Sequence, residues 1–132
     1  MRLHVKSFTF EEQKYMTKEL IFVYNADSGK WNAYMDMMHK VFSPKTYPCS
    51  LCAITYGIFS IKKEWQEFIN NFPVNMKFLH RNEWLTEFSG NKETLPAIFL
   101  KEGNQITTYI NSSQLHSLSL KDLINELNSD VN

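Results

Sequence analysis

A continuous apolar segment near the start of the chain constrains its fold most strongly. Residues 20–24 read Leu-Ile-Phe-Val-Tyr, with no polar side chain between them. An alternating pattern would leave one face of a strand in water, whereas a continuous apolar run is typical of a strand buried on both faces. We therefore predict a central strand with helices packed on both sides of its sheet.

The rest of the chain alternates between helical and strand patterns. Apolar residues recur at helical spacing in three segments: 31–42, 61–72 and 120–127. Strand patterns occur in three others, of which the last two flank a predicted hairpin turn: 74–79, 97–100 and 105–110. The order predicts one α/β domain over residues 1–132, with a mixed sheet of four or five strands between two layers of helices.

Polar residues stand where helices are predicted to begin. Asp27 or Ser28 could cap the first of these helices, and Asn82 could cap a further short helix. Ser119 and Asp122 have the spacing of a capping box before the last helix. For Asp27 and Ser28, we favour capping over the alternative of ligand binding.

The charge balance argues against two classes of protein. Fourteen basic and fourteen acidic residues leave no net charge, so nothing favours a protein that binds nucleic acid or a membrane surface. No apolar run approaches the about 20 residues needed to span a bilayer. The first residues also lack the apolar stretch of a signal peptide. We therefore expect a cytoplasmic protein without a nucleic-acid or membrane partner, and we assign it no cofactor.

The only two cysteines of the chain, Cys49 and Cys52, form a Cys-x-x-Cys motif. In a reducing compartment, two cysteines at this spacing are more often redox-active or metal-binding than joined in a structural disulfide. In the redox hypothesis Cys49 attacks, Cys52 resolves, and the partner is a protein thiol or disulfide.

Two other hypotheses stay open for the cysteines. A closed zinc site needs four ligands, of which the motif supplies two; His39 could add a third, or two subunits could pool their cysteines. Alternatively, the cysteines pack inside a non-catalytic module whose surface binds a partner. Trp31, Tyr47 and Tyr56 could line a pocket near them. The sequence leaves the oligomeric state open.

The element order and the segment Thr94-Leu95-Pro96-Ala97 before the hairpin resemble the thioredoxin superfamily. The resemblance covers residues 20–128 and implies a thioredoxin-like three-layer fold. In that superfamily a cis-proline lies beside the redox pair and exposes the backbone of the preceding residue to an extended substrate. The resemblance therefore implies substrate-binding roles for Leu95 and Pro96.

The cysteines depart from the pattern of that superfamily. The position matching its Cys-x-x-Cys is the turn 26–29, which has no cysteine, although Asp27 and Ser28 there could bind substrate. The cysteines come about twenty residues later, in a predicted helical insertion over 43–72. Residues 24–29, together with 46–52 and 55–57, also resemble a small group of uncharacterised bacterial proteins, which implies no established activity.

Overall fold

The structure, a computed structural model, describes residues 18–33, 49–56 and 61–131. At its centre is a sheet of four strands: β1 (Lys18–Val23), β2 (Asn75–Leu79), β3 (Ala97–Glu102) and β4 (Gln105–Ile110). Their order across the sheet is β2-β1-β3-β4. β2 pairs parallel with β1, whereas the β1–β3 and β3–β4 pairs are antiparallel. The architecture is therefore α/β with a mixed, open sheet.

β1 is the central strand that the apolar run predicts. It pairs with β2 on one side and β3 on the other, and its residues 20–23 are at most 5% exposed. Successive side chains of a strand point to opposite faces of the sheet. Leu20 and Phe22 accordingly belong to one core cluster, and Ile21 and Val23 belong to another on the opposite face.

The described residues include five numbered α-helices: α1 (Ser50–Thr55), α2 (Lys63–Asn71), α3 (Arg81–Glu87), α4 (Ser112–His116) and α5 (Leu120–Val131). A 3-10 turn at Ser28–Lys30 leads into helical backbone at 31–33. The remainder of the helix predicted over 31–42 lies outside the described residues. α1 and α2 both fall within the insertion predicted over 43–72.

Helices cover both faces of the sheet. The larger core cluster, on the face of Phe22, contains both cysteines and draws its other buried helical residues from α1, α2, α4 and α5: Leu51, Ile54, Trp65, Leu115, Leu123 and Leu127. The smaller cluster, on the face of Val23, is closed by Trp84 of α3. The amphipathic patterns of α2 and α5 therefore correspond to helices with one face in the core.

The hairpin between β3 and β4 has the geometry that its sequence predicts. β3 ends at Glu102 and β4 begins at Gln105, which leaves Gly103 and Asn104 in the turn. Gly103 has a φ of 62°, a left-handed conformation that glycine adopts without a clash from a Cβ atom.

One predicted helix start is confirmed and one is wrong. The Ser119 hydroxyl accepts from the Asp122 backbone N–H, and the Asp122 carboxylate accepts from the Ser119 N–H, both at 3.1 Å. This is the predicted capping box. Asn82, by contrast, lies inside α3, because the helix already begins at Arg81 and His80 holds the N-cap position.

Trp84 is expected to contribute strongly to stability. Its side chain is 0% exposed, and its ring stacks on that of Phe99 with centroids 4.2 Å apart. Trp84→Ala should lower the free energy of unfolding by about 3–5 kcal/mol, measured by urea denaturation, because the lost ring leaves a cavity. The control is Leu85→Ala, at a neighbouring position that is 47% exposed; it should change stability by less than about 0.5 kcal/mol. Equal effects of the two variants would contradict this assignment of the core.

Candidate thiol–disulfide site

The candidate site lies at one edge of the sheet, which we call the carboxyl edge. Val23, the last residue of β1, pairs with Leu79 at the end of β2 and with Ala97 at the start of β3. Because β2 is parallel and β3 antiparallel to β1, the segments after β1 and β2 and before β3 all emerge at this edge.

Cys49 and Cys52 lie next to the carboxyl edge. Cys49 is the N-cap residue of α1, and Cys52 is in its first turn. Their Cα atoms are 5.3 Å apart and their sulfurs lie at disulfide distance. The backbone N–H of Asn25, two residues beyond β1, donates a hydrogen bond to Cys49 Sγ at 3.4 Å. This bond brings the displaced motif to the end of the central strand.

The Cys49 sulfur accepts a second backbone hydrogen bond. The N–H of Cys52 donates to Cys49 Sγ at 3.2 Å. N–H groups that point at a sulfur favour its negatively charged form. The arrangement therefore suits a thiolate at Cys49.

Burial of the two cysteines, by contrast, limits their reactivity. Cys49 and Cys52 are both 0% exposed, and a sulfur without exposed surface cannot meet a reactant until its neighbours move. The site thus combines hydrogen-bond donors for a reactive sulfur with a covering layer that limits access to it.

Leu95 and Pro96 lie at the same carboxyl edge. They directly precede β3, whose first residue Ala97 pairs with Val23. The Leu95–Pro96 peptide bond is cis, and Pro96 is buried while Leu95 is half-buried. The structure therefore brings these two residues to the edge where the cysteines lie. Their role in binding a substrate stays a prediction.

Asp27 and Ser28 are bound to the start of α3. The Asp27 carboxylate accepts two hydrogen bonds from the Arg81 guanidinium, both at 3.0 Å, a geometry for which the two groups are matched. The Ser28 N–H donates to Asn82 Oδ1 at 2.8 Å, and Asn82 Nδ2 donates to Ser28 Oγ at 3.0 Å. These four side chains fasten the turn after β1 to α3.

The capping role predicted for Asp27 is wrong. Asp27 holds the N-cap position of the 3-10 turn, but its side chain makes no capping hydrogen bond, because both carboxylate oxygens face Arg81. The substrate-binding role of Asp27 and Ser28 stays a prediction.

Four aromatic rings meet at the carboxyl edge, and three of them, Tyr24, Trp31 and Tyr56, belong to or pack against the core cluster that contains both cysteines. Buried Tyr24 lies within 5.2 Å of Trp31, 6.0 Å of Tyr56 and 5.8 Å of His80, measured between ring centroids. The three outer rings are half-buried. Trp31 and Tyr56 are two of the residues predicted to lie near the cysteines, and Tyr47, the third, lies outside the described residues. His80 was not predicted; its only sequence signal is its position directly after a strand.

The Tyr24 hydroxyl is a structural group rather than a base. Burial, with a smaller effect of the neighbouring Tyr56, raises the pKa of Tyr24 far above its ordinary value, so the phenol stays neutral. Hydrogen bonds join its hydroxyl to the side chains of Thr55 and Tyr56. The Thr55 hydroxyl in turn donates to the Leu51 carbonyl at 2.8 Å. This network ties α1, which carries Cys52, to the end of β1.

The described residues give no support for metal binding. Across 18–33, 49–56 and 61–131, no group of three or more His, Cys, Asp or Glu side chains could hold a metal ion. His39, the third zinc ligand considered, lies outside these ranges. The same ranges contain no helix with the length and apolar character of a membrane span.

Comparisons with known proteins give no match: no family model, no curated protein and no solved structure matches the chain. A function is therefore inferred from the geometry of the site.

The Cys49–Cys52 bond is expected to contribute modestly to stability. A disulfide that closes a loop as short as 49–52 reduces the entropy of the unfolded chain by an amount worth about 2 kcal/mol. Reduction with dithiothreitol should lower the free energy of unfolding by this amount in urea denaturation. The double variant Cys49→Ser/Cys52→Ser should not respond to dithiothreitol. Identical curves for the oxidised and reduced wild-type protein would contradict the bond.

Glu83 should add a pH-dependent contribution at the start of α3. Its carboxylate accepts the His80 backbone N–H at 2.7 Å, and this hydrogen bond holds the pKa of Glu83 below its usual value of 4.5. A lowered pKa means that the stabilisation is present above the pKa of the unfolded state and is lost as the pH falls through the folded-state pKa.

The matched variant for this prediction is Glu83→Gln, which keeps an acceptor but removes the charge. It should be less stable than wild type at neutral pH by about 0.5 kcal/mol, as is usual for an exposed charge at a helix N-terminus. The difference should shrink as urea denaturation is repeated at pH values falling below 4.5. A difference that stays constant with pH would contradict the role of the charge.

Proposed function

We propose that this chain is a thioredoxin-like protein whose Cys49–Cys52 pair carries out thiol–disulfide exchange. The observation that carries the proposal is the hydrogen bond from Asn25 N–H to Cys49 Sγ at 3.4 Å. It puts the pair at the carboxyl edge, where a thioredoxin-type motif would act. The strand order β2-β1-β3-β4 and the position of Leu95 and Pro96 at the same edge are compatible with this assignment.

The exchange begins at the sulfur with the backbone donors. In the reduced protein, the Cys49 thiolate attacks one sulfur of a partner disulfide, and the second partner sulfur leaves as a thiolate. A mixed disulfide between Cys49 and the partner results. The hydrogen bonds from Asn25 and Cys52 favour the thiolate at Cys49 over one at a sulfur without such donors.

Cys52 completes the reaction. Its thiolate attacks Cys49 Sγ, which displaces the first partner sulfur and leaves Cys49 and Cys52 joined. The partner disulfide gains two electrons, and its two thiolates take up the two protons that the cysteines released. The 5.3 Å between the two Cα atoms is within the range of bridged cysteines, so α1 need not unfold for this step.

A second candidate function is a non-catalytic thioredoxin-like module that binds a partner. The observation that favours it is the burial of both cysteines, each 0% exposed. Cys49 and Cys52 would then act as small apolar side chains of the core.

The roles of the two cysteines can be separated by trapping the mixed disulfide. With oxidised glutathione as the disulfide, Cys52→Ser should accumulate a glutathione adduct at Cys49, detected by mass spectrometry of the native protein. Cys49→Ser should form its adduct at Cys52 at least about tenfold more slowly, because a hydrogen bond to a charged group contributes about 1.5–3 kcal/mol. The double Cys→Ser variant is the control and should form none.

The same experiment decides between the two candidate functions. A wild-type protein that cycles between dithiol and disulfide while folded supports exchange. Cysteines that form neither a glutathione adduct nor a disulfide until the protein is unfolded would overturn exchange and support the binding module. Faster modification of Cys49→Ser than of Cys52→Ser would reverse the assigned roles.

A further inference from the structure

The burial of the cysteine pair determines which thiols and disulfides can react with it. A partner sulfur has to come within bonding distance of Cys49 Sγ, yet Cys49 and Cys52 are both 0% exposed. Some neighbouring side chains must therefore move before exchange. The best candidates are partly exposed side chains at the carboxyl edge, which can move without disrupting a strand of the sheet.

Tyr56 is joined to Cys52 through the backbone. It is the C-cap residue of α1, and its N–H donates to the Cys52 carbonyl at 3.0 Å. Its side chain packs against the core cluster that contains both cysteines.

Tyr24 belongs to the same core cluster as the pair. It directly precedes Asn25, whose N–H donates to Cys49 Sγ, and it is only 3% exposed. Its hydroxyl is hydrogen-bonded to Tyr56 and Thr55. Tyr24 is thus the buried ring that all three outer rings contact.

Trp31 contacts both of the other outer rings, those of Tyr56 and His80. Its ring meets those of Tyr56 and His80 edge to face, with centroids 5.3 Å and 4.7 Å apart. The three residues come from different elements: Trp31 follows the 3-10 turn, Tyr56 ends α1, and His80 precedes α3. Individual ring contacts of this kind are weak, so the patch can open locally without unfolding of the sheet.

We propose that Trp31, Tyr56 and His80 form an aromatic lid that slows the access of small thiols and disulfides to Cys49 and Cys52. The lid specifies the partner class for the function proposed above, on which this inference rests. A polypeptide that makes its own contacts with the rings can displace them, whereas a small reagent has to wait for a spontaneous opening. Free low-molecular-weight thiols and disulfides would then still react with the pair, but more slowly than a polypeptide partner.

The test measures access directly and does not need exchange activity. The reduced protein is treated with N-ethylmaleimide under native conditions, and the rate of thiol modification is followed by mass spectrometry. Trp31→Ala removes the ring that joins the lid and should raise the rate roughly tenfold or more, since three ring contacts are lost. Trp31→Phe retains an apolar ring and should stay within about threefold of wild type.

The control variant is Phe72→Ala. Phe72 is also half-buried against the larger core cluster, but it lies just before β2, at the opposite edge of the sheet. It should leave the modification rate unchanged. An equal acceleration by Phe72→Ala and Trp31→Ala would show that general destabilisation exposes the cysteines, and would overturn the lid.

A second lid variant covers the case in which Trp31→Ala does not fold. His80→Ala removes one outer ring from a position whose side chain is 25% exposed, and it should raise the rate by about threefold. Unchanged rates in the folded lid variants would overturn the proposal. Faster alkylation in a protein that never forms the Cys49–Cys52 disulfide would support the lid and overturn only the exchange function.

Discussion

The hydrogen bond between the Asn25 N–H and the Cys49 sulfur connects the fold of this protein to its proposed chemistry. It joins residues 24 positions apart and holds the start of α1 against the end of the central strand. Without it, α1 would be a short helix with two core cysteines. With it, the cysteines share the carboxyl edge of the sheet with Leu95 and Pro96, at the position where β1 meets β3.

The site balances two opposing electrostatic effects. Backbone donors from Asn25 and Cys52 favour negative charge on Cys49 Sγ, while full burial removes the water that would otherwise solvate that charge. In the proposed exchange, a buried thiolate at Cys49 would react only once a partner reaches it. The aromatic rings of Trp31, Tyr56 and His80 are in the place where such control of access would be exerted.

The parts of the fold that the sequence predicts are those encoded by local patterns. The continuous apolar run over 20–24 is enough to identify a strand buried on both faces, and the spacing of Ser119 and Asp122 is enough to place a capping box. Local patterns fail where a distant group competes for a side chain. Asp27 and Asn82 both look like helix caps, but their side chains form hydrogen bonds between the turn after β1 and the start of α3. Asp27 binds Arg81, and Asn82 binds Ser28.

The cysteine pair of the candidate site could be predicted from the sequence, whereas the contacts that surround the pair could not. The Cys-x-x-Cys motif identifies the candidate pair, whereas the donor from Asn25 is a backbone group and leaves no trace in residue type. His80 is likewise visible only through its ring contacts with Trp31 and Tyr24. Tertiary contacts between backbone groups and sulfur, or between rings on separate elements, have no sequence period that could reveal them.

The most direct test of this account is an NMR titration of the native protein with mixtures of reduced and oxidised glutathione. The backbone amide signals of Asn25 and Cys52 should move reversibly between two folded states as the Cys49–Cys52 pair is reduced and reoxidised, because both amides donate to the Cys49 sulfur. Signals of the opposite sheet edge, such as that of Asn75, should stay in place. An Asn25 signal that does not respond, or one that changes only when the whole protein unfolds, would contradict the account.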